Sequence, residues 1–278
     1  MYTAEISRKE PTLFVFAVDG SGSTSRTLAN SQESIAQRIA LALNRLIFEL
    51  VVRSTKGEDE VRDYYEIAAL VYNGNGVQSG WVGALAGKEI AKISDLAKSP
   101  ARLEERKRKV DDGAGGLIEV STKVPVWFEA SPSGTTPMCE AFARAKALMQ
   151  SWIAAHPNAY PPALFNVSDG GSTDGDPTAL ARELQALTTS DGSVLVYNLN
   201  VSPTATGEVL YPADDNNLDA DGRTLFAMSS EMPPHIAAAL TENGTVIKTG
   251  ARCCTINADM VQIVQALNIG TRPASLES

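Results

Sequence analysis

Apolar positions along the chain alternate between short continuous runs and stripes at helical spacing. Thr12 to Val18 is a short apolar run that ends in Asp-Gly-Ser-Gly-Ser, the pattern of a buried strand running into a turn. Ile35 to Val52 then sets Ile35, Ile39, Leu43, Leu46 and Leu50 three or four residues apart, which predicts a helix. Ala36, Ala40, Ile47 and Val51 widen its apolar stripe, so that helix should be well covered. Glu66 to Tyr72 reads as a second continuous strand, and Asn73-Gly74-Asn75-Gly76 followed by Val77 to Val82 reads as a hairpin into a third. Met138, Phe142, Ala145, Met149 and Trp152 predict a helix over Pro137 to Ala155, with the proline where a first-turn proline is tolerated. Ala163 to Ser168 is another strand, ending in Asp169-Gly170-Gly171. A helix follows from Asp176-Pro177 with Leu180, Leu184 and Leu187 inward. Val194 to Val201 is the next strand. Short helical pieces near Leu225 to Met228 and Pro234 to Leu240, a strand at Arg252 to Ile256 and a last helix with Met260, Val264 and Leu267 complete the pattern.

Strands joined by helices over a whole chain predict an α/β fold: a doubly wound, mostly parallel central sheet with one antiparallel edge strand and helices on both faces. Between Gly83 and Ser133 the pattern dissolves into a weak helix around Ile90 to Leu96, the charged run Leu103 to Val110, a Gly-rich stretch, and Leu117 to Phe128 with strand character. That segment, about 83–133, is expected to be an insertion lying on the surface. No internal repeat is present. The 278 residues allow one large domain or two small ones.

Composition adds exclusions. Hydrophobic residues at 44% and charged residues at 21% are ordinary globular values, so the chain can bury a core without staples. A formal charge of −9 repels an extended phosphate backbone, which argues against nucleic acid. Cys139, Cys253 and Cys254 are too few and too oddly placed for a disulfide framework or a thiolate zinc site, and the adjacent pair would face opposite sides of a strand. Buried, reduced thiols are expected. The apolar run Leu13 to Val18 is too short for a signal or membrane segment, so a soluble, cytoplasmic protein with no membrane contact is expected.

Three expected strand ends, far apart in sequence, carry small oxygen-bearing side chains: Asp19-Gly20-Ser21-Gly22-Ser23, Gly134-Thr135-Thr136-Pro137 and Ser168-Asp169-Gly170. Hydroxyls and carboxylates are the ligands a hard divalent cation takes. Alternate positions 19, 21 and 23 can turn their oxygens to one ion while the glycines let the backbone curl. Taken alone, Asp-Gly-Ser-Gly-Ser reads more simply as an ordinary flexible turn. The three segments together resemble the von Willebrand factor A family and its metal-ion-dependent adhesion site. The family pattern is D-x-S-x-S after the first strand, a Thr in G-T-P-[LM] context, and an Asp-Gly after the fourth strand, matched here in order by DGSGST, GTTPM and VSDGG. Thr24 and Ser168 stand where many members have Met and Thr, and neither departure removes a proposed ligand.

The resemblance implies that Ser21, Ser23 and Thr136 supply hydroxyl ligands while Asp19 and Asp169 act directly or through water. Thr136 is preferred to Thr135 because it precedes the proline. The ion implied is Mg²⁺, with Mn²⁺ or Ca²⁺ as alternatives. The function implied is non-enzymatic: a protein-binding or adaptor module that captures an Asp or Glu of a partner protein. Stand-alone members without a secretion signal, of the tellurium-resistance type, suggest an AAA-type ATPase or a kinase and phosphatase system as that partner. Because all three segments serve one site, a single domain over residues 1–278 is favoured. Thr135 and Gly170 would flank the site, and the basic run containing Arg106 and Lys107 could dock an acidic surface, although Glu104 and Glu105 precede it and a solvated segment is the plainer reading. The competing class is a metal-dependent phosphohydrolase or phosphotransferase with Asp19 as nucleophile. That chemistry usually wants a second acid two residues on, where Ser21 stands. Asn217 to Gly222 begins like a calcium loop, but Met228 occupies the place of the bidentate acid. His156 and His235 lie beside prolines in capping or surface positions, and Trp81, Trp127 and Trp152 are expected in the core.

Overall fold

The computed structural model describes residues 2–27, 32–57, 60–111, 117–201 and 207–271, and side chains are not described at 56, 107–111 and 117–120. In chain order the strands are β1 (Thr12–Asp19), the short pair β2 (Thr55–Lys56) and β3 (Glu60–Val61), β4 (Tyr65–Asn73), β5 (Gly76–Ser79), β6 (Ala91–Lys92), β7 (Arg102–Asp111), β8 (Leu117–Val126), β9 (Ala163–Ser168), β10 (Leu195–Val201), β11 (Val209–Leu210) and β12 (Cys254–Ala258). The helices are α1 (Ile35–Ser54), α2 (Ile93–Lys98), α3 (Met138–Ala155), α4 (Thr178–Gln185), α5 (Ala220–Met228), α6 (Pro234–Glu242) and α7 (Met260–Gly270).

Among the described residues the main sheet runs β11-β12-β10-β9-β1-β4-β5, with β6 also paired to β4. Its five inner strands are parallel, β1 lying between β4 and β9. Each edge is closed by an antiparallel strand, β5 on β4 and β11 on β12, where one such edge was expected. β1 is buried at every position because both its faces are covered. Phe14, Phe16 and Val18 point into one core with residues of α1 and α7, while Leu13, Val15 and Ala17 point into a second with α3, α4 and α5. Cys253 and Cys254 divide the same way, one thiol to each core, as their adjacency required. Cys139 is only half-buried.

The segment 83–133 does not lie on the surface as a whole. Leu85, Ile93, Leu96, Trp127 and Phe128 are buried in the α1-side core. The charged run expected to be irregular is instead β7, paired along its length with β8 in a hairpin outside the main sheet. Asn44 of α1 anchors its base: its side chain accepts from the backbone N–H groups of Trp127 (2.8 Å) and Phe128 (3.1 Å) and donates to the Phe128 carbonyl (2.9 Å). Trp81, Trp127 and Trp152 are all buried. The calcium-loop-like stretch is a helix start, with Asp219 accepting from Gly222 N–H at 2.7 Å as the cap of α5. His156 caps α3 and stacks on Trp152, and half-buried His235 meets the Tyr160 hydroxyl. Among the described residues no helix is long and apolar enough to cross a membrane.

Candidate functional site

The chain leaves β1 for β4 on one side of the sheet and later returns to β9 on the other, so the crevice at the carboxyl ends of β1 and β9 is where ligands bind in open parallel sheets. Asp19 ends β1 and Ser168 ends β9. After Asp19 the chain turns through Gly20 and Ser21 into a 3₁₀ turn, Gly22–Ser25.

A hydrogen-bonded cluster fills this crevice. Asp19 Oδ1 accepts from the Ser21 backbone N–H (2.8 Å) and Oδ2 from the Ser168 hydroxyl (2.9 Å). The hydroxyls of Ser21 and Ser23 lie 2.9 Å apart, and that of Ser23 donates to Asp169 Oδ1 at 2.7 Å. Asp19 is 0% exposed, Ser21 2%, and the Asp169 side chain 1%. Burial pushes the Asp19 carboxyl above the usual range, against hydrogen bonds from Ser21 and Ser168, and the neighbouring charge of Asp169 pushes it further. Four of the five expected ligands, Asp19, Ser21, Ser23 and Asp169, are therefore in one connected group.

Thr136 is delivered by a backbone-on-backbone contact. Gly22 N–H donates to the Gly134 carbonyl (3.0 Å) and Ser133 N–H to the Gly20 carbonyl (2.8 Å), which lays the 133–134 segment against the β1 turn. Gly134 has φ +59, and a Cβ there would come within 2.7 Å of Gly74 Cα. Gly74 in the β4–β5 turn thus serves the site as well as the hairpin. Thr136 is 7% exposed, whereas Thr135 is exposed. The Thr136 backbone exchanges bonds with Thr173, its N–H donating to Thr173 Oγ1 (2.9 Å) and its carbonyl accepting from Thr173 N–H (3.0 Å). Its hydroxyl makes no hydrogen bond among the described residues.

The loop carrying Thr173 is itself fastened to α3. That helix starts behind Pro137 with no side-chain cap of its own. Asp174 supplies one across the fold, accepting from Cys139 N–H (2.9 Å) and Glu140 N–H (3.0 Å). Gly170 is half-buried, its N–H bonded to the Ser168 hydroxyl.

The basic run does not join this group. The Arg106 guanidinium is held by Glu33 and Glu104 in the groove between α1 and β7. The Lys107 side chain lies outside the described residues. Ser168, Thr173, Asp174 and Arg26 take part without a role that the sequence pattern assigned to them. Ser168 lies inside the quoted VSDGG segment and Arg26 two residues beyond DGSGST, so proximity to the motifs is the signal that could have found them. Asp174 acts on a helix over thirty positions away, which no local pattern encodes.

A donor set of two carboxylates and serine and threonine hydroxyls, all oxygen, suits a hard divalent ion. Among the described residues no group of three or more His, Cys, Asp or Glu is assembled, as a softer metal or a carboxylate cage would need. No protein-family profile and no curated protein matches the chain. Among solved structures, the pilus adhesin SpaC from Lactobacillus rhamnosus GG aligns with 82% of this chain and 28% of its own, at 10% identity and a TM-score of 0.40. The chain thus spans less than a third of that adhesin's length, and a likeness at this level bears on neither fold family nor function.

Proposed function

We propose that this chain is a von Willebrand factor A-type domain whose crevice is a metal-ion-dependent adhesion site: a non-enzymatic, Mg²⁺-dependent module that captures an Asp or Glu of a partner protein. The observation carrying the reading is the meeting of Asp19, Ser21, Ser23 and Asp169 in one buried cluster, with the uncommitted Thr136 hydroxyl on the adjoining loop. Bound Mg²⁺ would supply an electrophilic centre for a partner's carboxylate and reverse the local sign of an acidic protein's field. Asp19 and Asp169 would present carboxylates to the ion, the hydroxyls of Ser21, Ser23 and Thr136 would offer neutral oxygens, and Ser168 would orient Asp19. Few charged ligands leave the ion able to accept one more. An AAA-type ATPase or a kinase and phosphatase system is the partner class that the family resemblance implies.

The reading as a phosphohydrolase with Asp19 as nucleophile draws less support, because that carboxylate is fully buried and both its oxygens already accept hydrogen bonds. The test compares wild type with Asp19→Asn, which keeps the shape and removes the charge. Wild type should gain melting temperature with Mg²⁺, whereas the variant should fold equally well in EDTA and gain nothing. Equal Mg²⁺ responses would refute the site, and Asp19-dependent phosphatase turnover would replace the function.

A further inference from the structure

Arg26 touches the cluster from its rim. Its Nη2 donates to Asp169 Oδ2 at 3.0 Å, its Nε to the Ser23 carbonyl at 3.1 Å, and its side chain is 55% exposed. The backbone holds it there at both ends: Arg26 N–H bonds to the same Ser23 carbonyl, and its own carbonyl accepts from Ile35 N–H at the start of α1. The guanidinium is therefore placed by the motif turn itself. Among the described residues it is the one Lys or Arg paired with Asp169, and Asp19 has none. Asp169 divides its oxygens, Oδ1 to Ser23 and Oδ2 to Arg26. A carboxylate this deeply buried needs a counter-charge, and a cation beside Ser21 and Ser23 would share it with the guanidinium.

We propose that Arg26 is a resident counter-ion that sets the divalent-cation affinity of the site, neutralising Asp169 when no metal is held and opposing the extra positive charge when one binds. This rests on the metal-site reading above. Arg26 then acts as a threshold: the site stays satisfied at low free Mg²⁺, and occupancy requires enough of the ion to outweigh a guanidinium one carboxylate away. In a medium close to water the repulsion between a divalent ion and that guanidinium corresponds to about a tenfold change in affinity, about 1.4 kcal/mol. Added monovalent salt should shrink the effect, because the guanidinium is half in solvent.

Isothermal titration with MgCl₂ of wild type, Arg26→Gln, Arg26→Lys and Asp19→Asn tests this, with circular dichroism confirming that each is folded. Arg26→Gln should bind about tenfold more tightly, Arg26→Lys should stay close to wild type because the charge is kept, and Asp19→Asn should give no binding heat. A folded Arg26→Gln that binds as wild type or more weakly overturns the role of Arg26 while leaving the site intact. Absence of Asp19-dependent binding in both wild type and Arg26→Gln into the millimolar range would instead remove the metal-site reading and this inference with it.

Discussion

Replacing Asp174 by Ala removes the cap of α3 without touching any proposed ligand. Two backbone donors of the first helical turn, Cys139 N–H and Glu140 N–H, lose their acceptor, and Pro137 offers no substitute. Loss of a helix cap costs about 0.5–2 kcal/mol, and loss of a negative charge at a helix N-terminus about 0.3–1 kcal/mol in exposed positions. Asp174 is exposed, so solvent screening puts the total near 1.5 kcal/mol, roughly 3–5 °C in melting temperature for a chain of this size. The pH dependence follows from the carboxyl itself. Burial raises its pKa, but the hydrogen bonds from Cys139, Ser172 and Glu140 outweigh that and hold it below the ordinary range. A depressed folded pKa means the contribution is fully present above about pH 4, the unfolded Asp value, and is lost as pH falls through the lower folded value. Thermal unfolding of wild type and Asp174→Ala should therefore differ by the same amount at pH 7 and pH 5, and the gap should close in more acidic buffer. Asp174→Asn, which keeps an acceptor oxygen, should lose about 0.5 kcal/mol with little closure. Identical melting at pH 7, or a gap that persists undiminished in acid, would refute the capping argument. Because the same loop carries Thr173, which holds the Thr136 backbone, Asp174→Ala should also weaken Mg²⁺ binding.

Asn44→Ala leaves the N–H groups of Trp127 and Phe128 and the Phe128 carbonyl without their partner inside the core, and should cost about 2–4 kcal/mol in urea unfolding. A loss under about 0.5 kcal/mol would show that another acceptor takes over. Gly134→Ala forces a side chain into a left-handed backbone position 2.7 Å from Gly74 Cα, so it should destabilise by about 1–3 kcal/mol and displace Thr136. A variant that melts and binds Mg²⁺ as wild type would show that the close approach is not needed.

The inner strands were legible because each is buried on both faces, and an unbroken apolar run such as Leu13 to Val18 admits few other readings. Helices α1 and α3 were legible for the complementary reason: each faces its core with one stripe and water with the rest. β7 was not, because the hydrophobic pattern fails on a hairpin that hangs outside the sheet. Its order lies instead in Arg102, Glu104 and Arg106, alternate residues whose charges pair with each other and with Glu33 beside α1. Two-residue β11 lacks the length to register as a pattern, and β12 sits two residues later than expected, where Asn257 takes φ +52 and the pairing with β10 shifts. At the site, the ligand candidates were legible because their spacing within each segment is local. What holds them, namely Gly74 under Gly134, Asp174 on α3 and Arg26 on Asp169, consists of contacts made by folding.

The choice of hydroxyls over carboxylates at most of the crevice has a physical consequence for the proposed metal site. A serine hydroxyl both donates and accepts, and its proton can rotate. In the cluster the hydroxyls of Ser23 and Ser168 donate to Asp169 and Asp19, so each buried carboxylate has a hydroxyl partner. A cation bound there would find the Ser21 and Ser23 hydroxyls able to turn lone pairs toward it by rotating a proton, without moving the chain. A cluster of carboxylates in those places would repel itself when empty and would oversupply negative charge when full. On the proposed metal-site reading, one property of the hydroxyls would serve both the hydrogen-bonded cluster and avidity for a further acidic ligand, with Arg26 setting the balance between them. On the proposed reading the net charge of −9 is compatible with capture of an acidic partner for the same reason: what the incoming carboxylate would meet is set by local charge, which a bound divalent ion would reverse at the ends of β1 and β9.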